Sequence, residues 1–281
     1  MAQRLLLVLV LIVSPQLSGC SRLFFFPQHV LLRTPADVGL RYEEVHFSSS
    51  DGIRLHGWFL PAEGPAKGTV VFLHGNAENI STHFGAVYWL PARGFHVLVF
   101  DYRGFGRSAG KPDIAGAQHD AVAALYYAVS RYDVDAERLV LFGQSIGGAI
   151  ALYTAATADI PVRAVVAESA FASYPGIMRE KMAGALPTWP FQWMALGVTD
   201  RYDPIAVIGT IRSTAILLIH GDADPIIPVE HAHRLYAAAR GDKRLWVLEN
   251  TGHIGAFAPR RTDVRQRFVE YLERVLTAQP E

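Results

Sequence analysis

Arg138-Leu139-Val140-Leu141-Phe142 runs through Gly143-Gln144-Ser145-Ile146-Gly147 into Gly148-Ala149-Ile150-Ala151-Leu152-Tyr153. An apolar run that reads as a strand passes through a five-residue turn into small residues that read as a helix. That setting is what a nucleophile elbow needs. The serine must sit at a sharp turn, and both flanking positions must be small. Only then can the strand end and the helix start approach each other while Oγ projects into a cleft.

A serine hydroxyl is a poor nucleophile near neutral pH and requires a base that is itself oriented by a third group. On this architecture the order along the chain is nucleophile, acid, base, each just past a strand end. The chain supplies both partners in that order. Ala215-Ile216-Leu217-Leu218-Ile219-His220 reads as a buried strand and is followed by Gly221-Asp222-Ala223-Asp224-Pro225. Arg244 to Glu249 reads as another strand and is followed by Asn250-Thr251-Gly252-His253. His253 is the expected general base, with Thr251-Gly252 allowing a tight turn behind it. Asp222 and Asp224 both stand where the acid belongs.

The rest of the pattern is α/β. Residues 40 to 60 read as a hairpin around Ser50-Asp51-Gly52, and Thr69 to Leu73 as a strand covered on both faces. A helix from Ile80 to Arg93 ending at Gly94 follows, then a strand at 95–100, a helix at 114–130, the elbow strand and helix, and a strand at 162–167. Such repetition predicts a mostly parallel sheet with right-handed crossovers. It stops between about 170 and 210, where Pro187, Trp189, Pro190, Phe191, Trp193 and Met194 are dense and poorly periodic. This insert reads as a short cap over the active-site end of the sheet. Alternation then resumes with a strand at 214–219, a helix at 229–239, a strand at 244–249 and a helix at 261–276.

Five blocks in order resemble the α/β-hydrolases, in the group that holds serine aminopeptidase-like and Bem46-like hydrolases. They are His74-Gly75-Asn76-Ala77, Asp101 to Ser108, Gly143 to Gly147, His220 to Pro228 and Thr251-Gly252-His253. The resemblance implies the α/β-hydrolase fold over about 40–281. It implies Asp224 as the acid, since Ile226-Ile227-Pro228 follow it as in the family pattern, and Pro225 biases Asp224 toward extended backbone. The oxyanion hole would combine the backbone N–H of Ile146 with that of Asn76. His74 and His220 would be structural, and Asp101 and Arg103 would be ion-pair members of a buttressing loop.

The function so implied is a serine hydrolase cleaving carboxylic esters through an acyl-enzyme. Its substrate would be a small-molecule or lipid acyl ester. One rival is an aminopeptidase-like activity, which would need Glu168, Glu78 or Glu180 to hold a substrate amine. A second is a non-catalytic envelope binding protein on the same fold.

Composition narrows the remaining classes. The chain has 281 residues, and its 26 Lys+Arg equal its 26 Asp+Glu with no basic run, so nucleic-acid binding has no electrostatic support. His231 and His233 lie two apart on a predicted helix and do not share a face. No phosphate loop or dinucleotide fingerprint is visible, and the expected cofactor and metal are none.

The start of the chain reads as targeting sequence. Met1-Ala2-Gln3-Arg4 and the apolar Leu5–Val13 lead to Leu17-Ser18-Gly19-Cys20, which resembles the bacterial lipobox. Residues 1–19 would be removed and Cys20, the one cysteine of the chain, would carry the lipid anchor. That implies a bacterial cell-envelope protein held on a membrane, with Ser21 pointing to the outer membrane and a periplasmic domain. Residues 20–39 would link anchor to hydrolase. Leu23-Phe24-Phe25-Phe26 has two open readings, membrane interface or strap over the core.

Overall fold

The computed structural model describes residues 24–184 and 187–278. Its main sheet is built from β1 (Glu43–Ser48), β2 (Arg54–Leu60), β3 (Gly68–Leu73), β4 (Phe95–Asp101), β5 (Leu139–Gln144), β6 (Ala164–Glu168), β7 (Ala215–Gly221) and β8 (Lys243–Leu248). The order across the sheet is β1-β2-β4-β3-β5-β6-β7-β8. β2 is antiparallel to both β1 and β4, and every other neighbouring pair is parallel.

Burial follows from this order. Every residue of β3 to β7 is buried, as expected where helices cover both faces. The edge strands β1 and β8 keep exposed residues. Side chains of one strand alternate between two cores. Leu139 and Leu141 enter one core with α1 (Ile114–Ser130) and α2 (Ile146–Thr157). Val140 and Phe142 enter the other, with Phe84, Phe257 and the helix at Thr262–Thr277.

Local signals explain the element ends. Asp113 caps α1 by accepting from the Gly116 N–H at 2.8 Å. The expected single helix from Ile80 to Arg93 is instead three short pieces. One helical turn spans Ile80–His83, and 3₁₀ turns span Phe84–Ala86 and Pro91–Arg93. Gly85 weakens the middle of this stretch, and Pro91 lacks the N–H that a continuing helix needs. Gly94 closes the stretch in the left-handed region at φ 87°, where glycine is free to go.

The insert after β6 holds the helix α3 (Tyr174–Ala183), a 3₁₀ segment at Trp189–Gly197 and a single turn at Pro204–Val207. Trp189, Phe191 and Trp193 are exposed rather than buried in a core. The insert is tied to α4 (Glu230–Ala238) through His231. The His231 Nδ1 accepts from the Ala172 N–H at 3.0 Å, and its Nε2 donates to Glu180 at 2.7 Å. The final helix, Thr262–Thr277, is α5.

Candidate active site

Ser145 sits between β5 and α2 with φ 57° and ψ −122°, a region a non-glycine residue enters only when its surroundings hold it there. Its N–H donates to the Glu168 carbonyl at 2.8 Å. A Cβ at Gly143 would collide with the Gly147 carbonyl, and one at Gly147 with the Leu73 carbonyl. The two glycines are therefore steric requirements of the elbow. Ile146 is the first residue of α2, so its N–H has no intrahelical acceptor.

Past β7, the two open candidates for the acid separate. Asp222 is exposed. The Asp224 carboxylate is buried, and its Oδ2 accepts from His253 Nδ1 at 2.8 Å. Its Oδ1 accepts from the Ile226 and Ile227 N–H groups at 2.8 and 2.9 Å. Burial alone would raise this carboxyl, but the His253 hydrogen bond and the two N–H donors outweigh it and hold it at about 2. Nδ1 of His253 is thus the donor nitrogen, which leaves Nε2 as the basic atom. His220 donates to the Ile227 carbonyl at 2.8 Å and stands 3.5 Å from Asp224, so it braces the Asp224 loop.

The loop after β3 is held by the N-terminal segment. Phe26–Pro27 pairs with Ala77–Glu78 as a short parallel ladder. The Phe26 N–H donates to the Asn76 carbonyl at 2.7 Å, and the Gln28 N–H to the Glu78 carbonyl at 2.9 Å. Asn79 returns the tie, its Nδ2 donating to the carbonyls of Gln28 and Val30. Phe25 is buried against Phe105, and Phe24 lies edge-on to Tyr174 at 5.3 Å. These two rings pack on the core, while Phe26 is exposed. Leu23 and Cys20 lie outside the described residues.

Arg103 makes a forked pair with Asp120 and a second with Asp51, and also bonds Ser49. Asp101 is not part of that network. It accepts from the Ile80 N–H at 2.9 Å and faces His56 and His74 at 3.6 and 3.8 Å. Its position near the His-Gly turn follows from its place as the last residue of β4. His74 donates from Nδ1 to the Gly75 carbonyl at 2.7 Å, and burial, with the neighbouring His83 adding to it, lowers its pKa to about 3.

Of the three carboxylates considered for a substrate amine, Glu168 is buried and bonded to Gln144 and the Ala256 N–H, while Glu180 bonds His231 and Arg234. Glu78 lines an open cleft of about 460 Å³, and Glu180 lines a separate one with Pro228 and Arg234. The Glu78 cleft lies between Gln144, which precedes Ser145, and Ile254, which follows His253. Phe84, Tyr88 and Phe257 give it apolar walls, with Arg33 from the N-terminal segment at its rim. No cluster of three or more His, Cys, Asp or Glu suited to a metal is present among the described residues.

Sequence reasoning missed the strap's hold on the 76–79 loop and the bonding of Gln144 and Glu168. A signal existed for the latter: Glu168 ends the otherwise apolar Ala164-Val165-Val166-Ala167.

Residues 68–196 match the family model described as alpha/beta hydrolase fold. The chain is 41% identical over 243 residues to the protein YfhR of Escherichia coli K12, covering 84% of this chain and 82% of that one. It is 32% identical over 214 residues to the alpha/beta hydrolase domain-containing protein WAV2 of Arabidopsis thaliana, covering 73% and 69%. Among solved structures, the Pyrococcus furiosus esterase Pf2001 superposes with a TM-score of 0.75 at 22% identity, covering 89% of this chain and 98% of that one.

Proposed function

The chain belongs to the α/β-hydrolase family, and from that premise we propose that it is a serine hydrolase cleaving carboxylic esters. The observation that carries this reading is the 2.8 Å bond from His253 Nδ1 to a buried Asp224 carboxylate, found in the same molecule as a strained Ser145 elbow. In the proposed cycle, Ser145 Oγ attacks the ester carbonyl as His253 Nε2 takes its proton. Asp224 stabilises the imidazolium that forms without itself taking the proton. The N–H groups of Ile146 and Asn76 hold the tetrahedral oxyanion, a term worth about 3–4 kcal/mol per donor. His253 returns its proton to the leaving alkoxide. Water, deprotonated by the same histidine, then releases the acid from the acyl-serine.

The half-apolar cleft beside the triad suits a small ester with one hydrocarbon arm. The esterase among the structural neighbours is in keeping with that choice, though at 22% identity it speaks for the fold. A panel of p-nitrophenyl esters against aminoacyl anilides tests it. Turnover of the esters, abolished in Ser145→Ala, is expected; preferential turnover of anilides would move the assignment to the peptidase reading, with Glu78 the carboxylate facing the cleft.

The proposal includes a lipid anchor on Cys20 and an envelope location. Phe24, four residues on, is already packed on the core, so anchor and hydrolase would stand close together. Cys20→Ser should free the protein from membranes of the producing cell, and unchanged retention would remove the anchor from the account.

A further inference from the structure

We propose that Glu168 is a positioning residue that locks the nucleophile elbow to the histidine loop. The inference rests on the serine-hydrolase reading above and names a residue which that reading does not use.

Glu168 ends β6, next to β5, and each of its polar groups reaches a different part of the site. Oε2 accepts from Gln144 Nε2 at 2.7 Å, and Oε1 accepts from the Ala256 N–H at 2.8 Å. Its carbonyl accepts from the Ser145 N–H at 2.8 Å. Ser169 extends the tie, because its Oγ accepts from the Ile254 N–H at 3.2 Å. One dipeptide therefore bonds Gln144 and Ser145 of the elbow and Ile254 and Ala256 just after His253. Gln144 also interacts with His83, whose Nε2 donates to the Ala77 carbonyl at 3.2 Å. The line of contacts thus continues to the loop that carries Asn76.

Backbone strain falls at the joints of this line. Among the described residues, the non-glycine positions with positive φ are Glu78, Ser145, Ser169, Asn250 and Ile254. Ser145, Ser169 and Ile254 are themselves bonded in this line, and Glu78 follows its member Ala77. Ile254, at φ 48°, is β-branched and the least tolerant of that conformation. Strained residues persist only where surrounding bonds over-determine them, and these are the bonds that do so here.

The carboxylate is also an expensive choice for its place. Burial pushes its pKa up, while the Gln144 and Ala256 donors and the nearby His253 oppose that rise. A leucine would pack there without such a cost, but it could accept from neither donor. Substrate binding does not explain the residue, since both oxygens are occupied and the side chain is sealed from the cleft.

The test uses the full chain, p-nitrophenyl butyrate and a fluorophosphonate probe. Glu168→Ala should lower kcat on the order of 10²-fold, the scale of a displacement near 1 Å in reacting groups. KM should move by less than about threefold, because Glu168 itself does not line the cleft. Glu168→Gln keeps one acceptor for Ala256 if the Gln144 amide turns over, so it should recover kcat to within about tenfold of wild type. Should the alanine variant not fold, Gln144→Ala cuts the same bridge from its other end and is expected to lower kcat about tenfold. Folded variants whose kcat stays within about threefold of wild type, or whose loss lies in KM and is equal for Ala and Gln, would overturn the positioning role. A wild-type protein that takes no fluorophosphonate would overturn the hydrolase reading instead, whereas wild type and variants labelling at one rate would sink this inference alone.

Discussion

Asp224 and His253 stand 29 positions apart in the chain, yet a 2.8 Å hydrogen bond joins them. The bond depends on two adjacent parallel strands, β7 and β8, delivering their following loops to the same edge of the sheet. Asp222, two residues earlier, has the same charge and remains in solvent. Asp224→Asn should therefore lower kcat by about 10³–10⁴-fold, while Asp222→Asn stays within about twofold of wild type. Steady-state ester hydrolysis by the two variants checks this, and equal losses would contradict the assignment.

The elbow glycines set a steric prediction. Either Gly143→Ala or Gly147→Ala drives a methyl into backbone carbonyl oxygen, which no side-chain rotation relieves. A loss of about 2–4 kcal/mol in stability is expected for each, read by denaturant titration. A variant with wild-type stability and full labelling at Ser145 would show that the turn can open without cost.

Arg103 supplies a test of the buttressing loop. It is buried and forks onto Asp120, whose carboxylate is fully enclosed. Removing it with Arg103→Met leaves that carboxylate unpaired, and about 3–5 kcal/mol of stability should be lost. Arg103→Lys should recover little, because an ammonium cannot reproduce the fork to Asp120 and Asp51 together. Thermal or chemical unfolding of both variants gives the comparison.

His74 makes stability depend on pH. Its folded pKa of about 3 lies well below the ordinary histidine value of about 6.5. Between those limits the unfolded chain binds a proton at this residue that the native state refuses. Stability therefore falls as pH drops through the window, by up to about 1.4 kcal/mol per pH unit from this group. His74→Asn should flatten the dependence measured between pH 7 and 4. A slope unchanged by the substitution would place the acid sensitivity elsewhere.

Asn79 tests the strap. Its amide nitrogen holds the carbonyls of Gln28 and Val30, and its oxygen accepts from the Ser81 N–H and hydroxyl. Asn79→Ala should cost about 1–2 kcal/mol, since the buried Ser81 N–H loses its acceptor and the strap carbonyls lose their donor. It should also slow ester turnover, because the strap and the 76–78 loop are bonded to each other. Loss of stability with unchanged kcat would confine the strap to a structural part.

The sheet and its site edge were legible because each strand-end motif carries its own local chemistry. Gly143 and Gly147 betray a turn too tight for any Cβ, and the apolar β3 to β7 segments betray burial on both faces. The split of the 80–93 stretch was harder to read, since its apolar spacing suits a helix while Gly85 and Pro91 interrupt one. Glu168 and Gln144 were legible as oddities at strand ends, but their partnership was not. It joins neighbours in the sheet, 24 positions apart, through a register that local patterns do not encode. The strap's pairing with the 77–78 loop is hidden for the same reason, as a parallel ladder of two residues has no sequence period.

The most direct test of the central claim is to treat the intact protein with a fluorophosphonate and map the modified peptide by mass spectrometry. A single stoichiometric adduct on Ser145, absent from Ser145→Ala and strongly slowed in His253→Ala, is the predicted result. Native, folded protein that remains unmodified, or an adduct on another residue that survives Ser145→Ala, would contradict it.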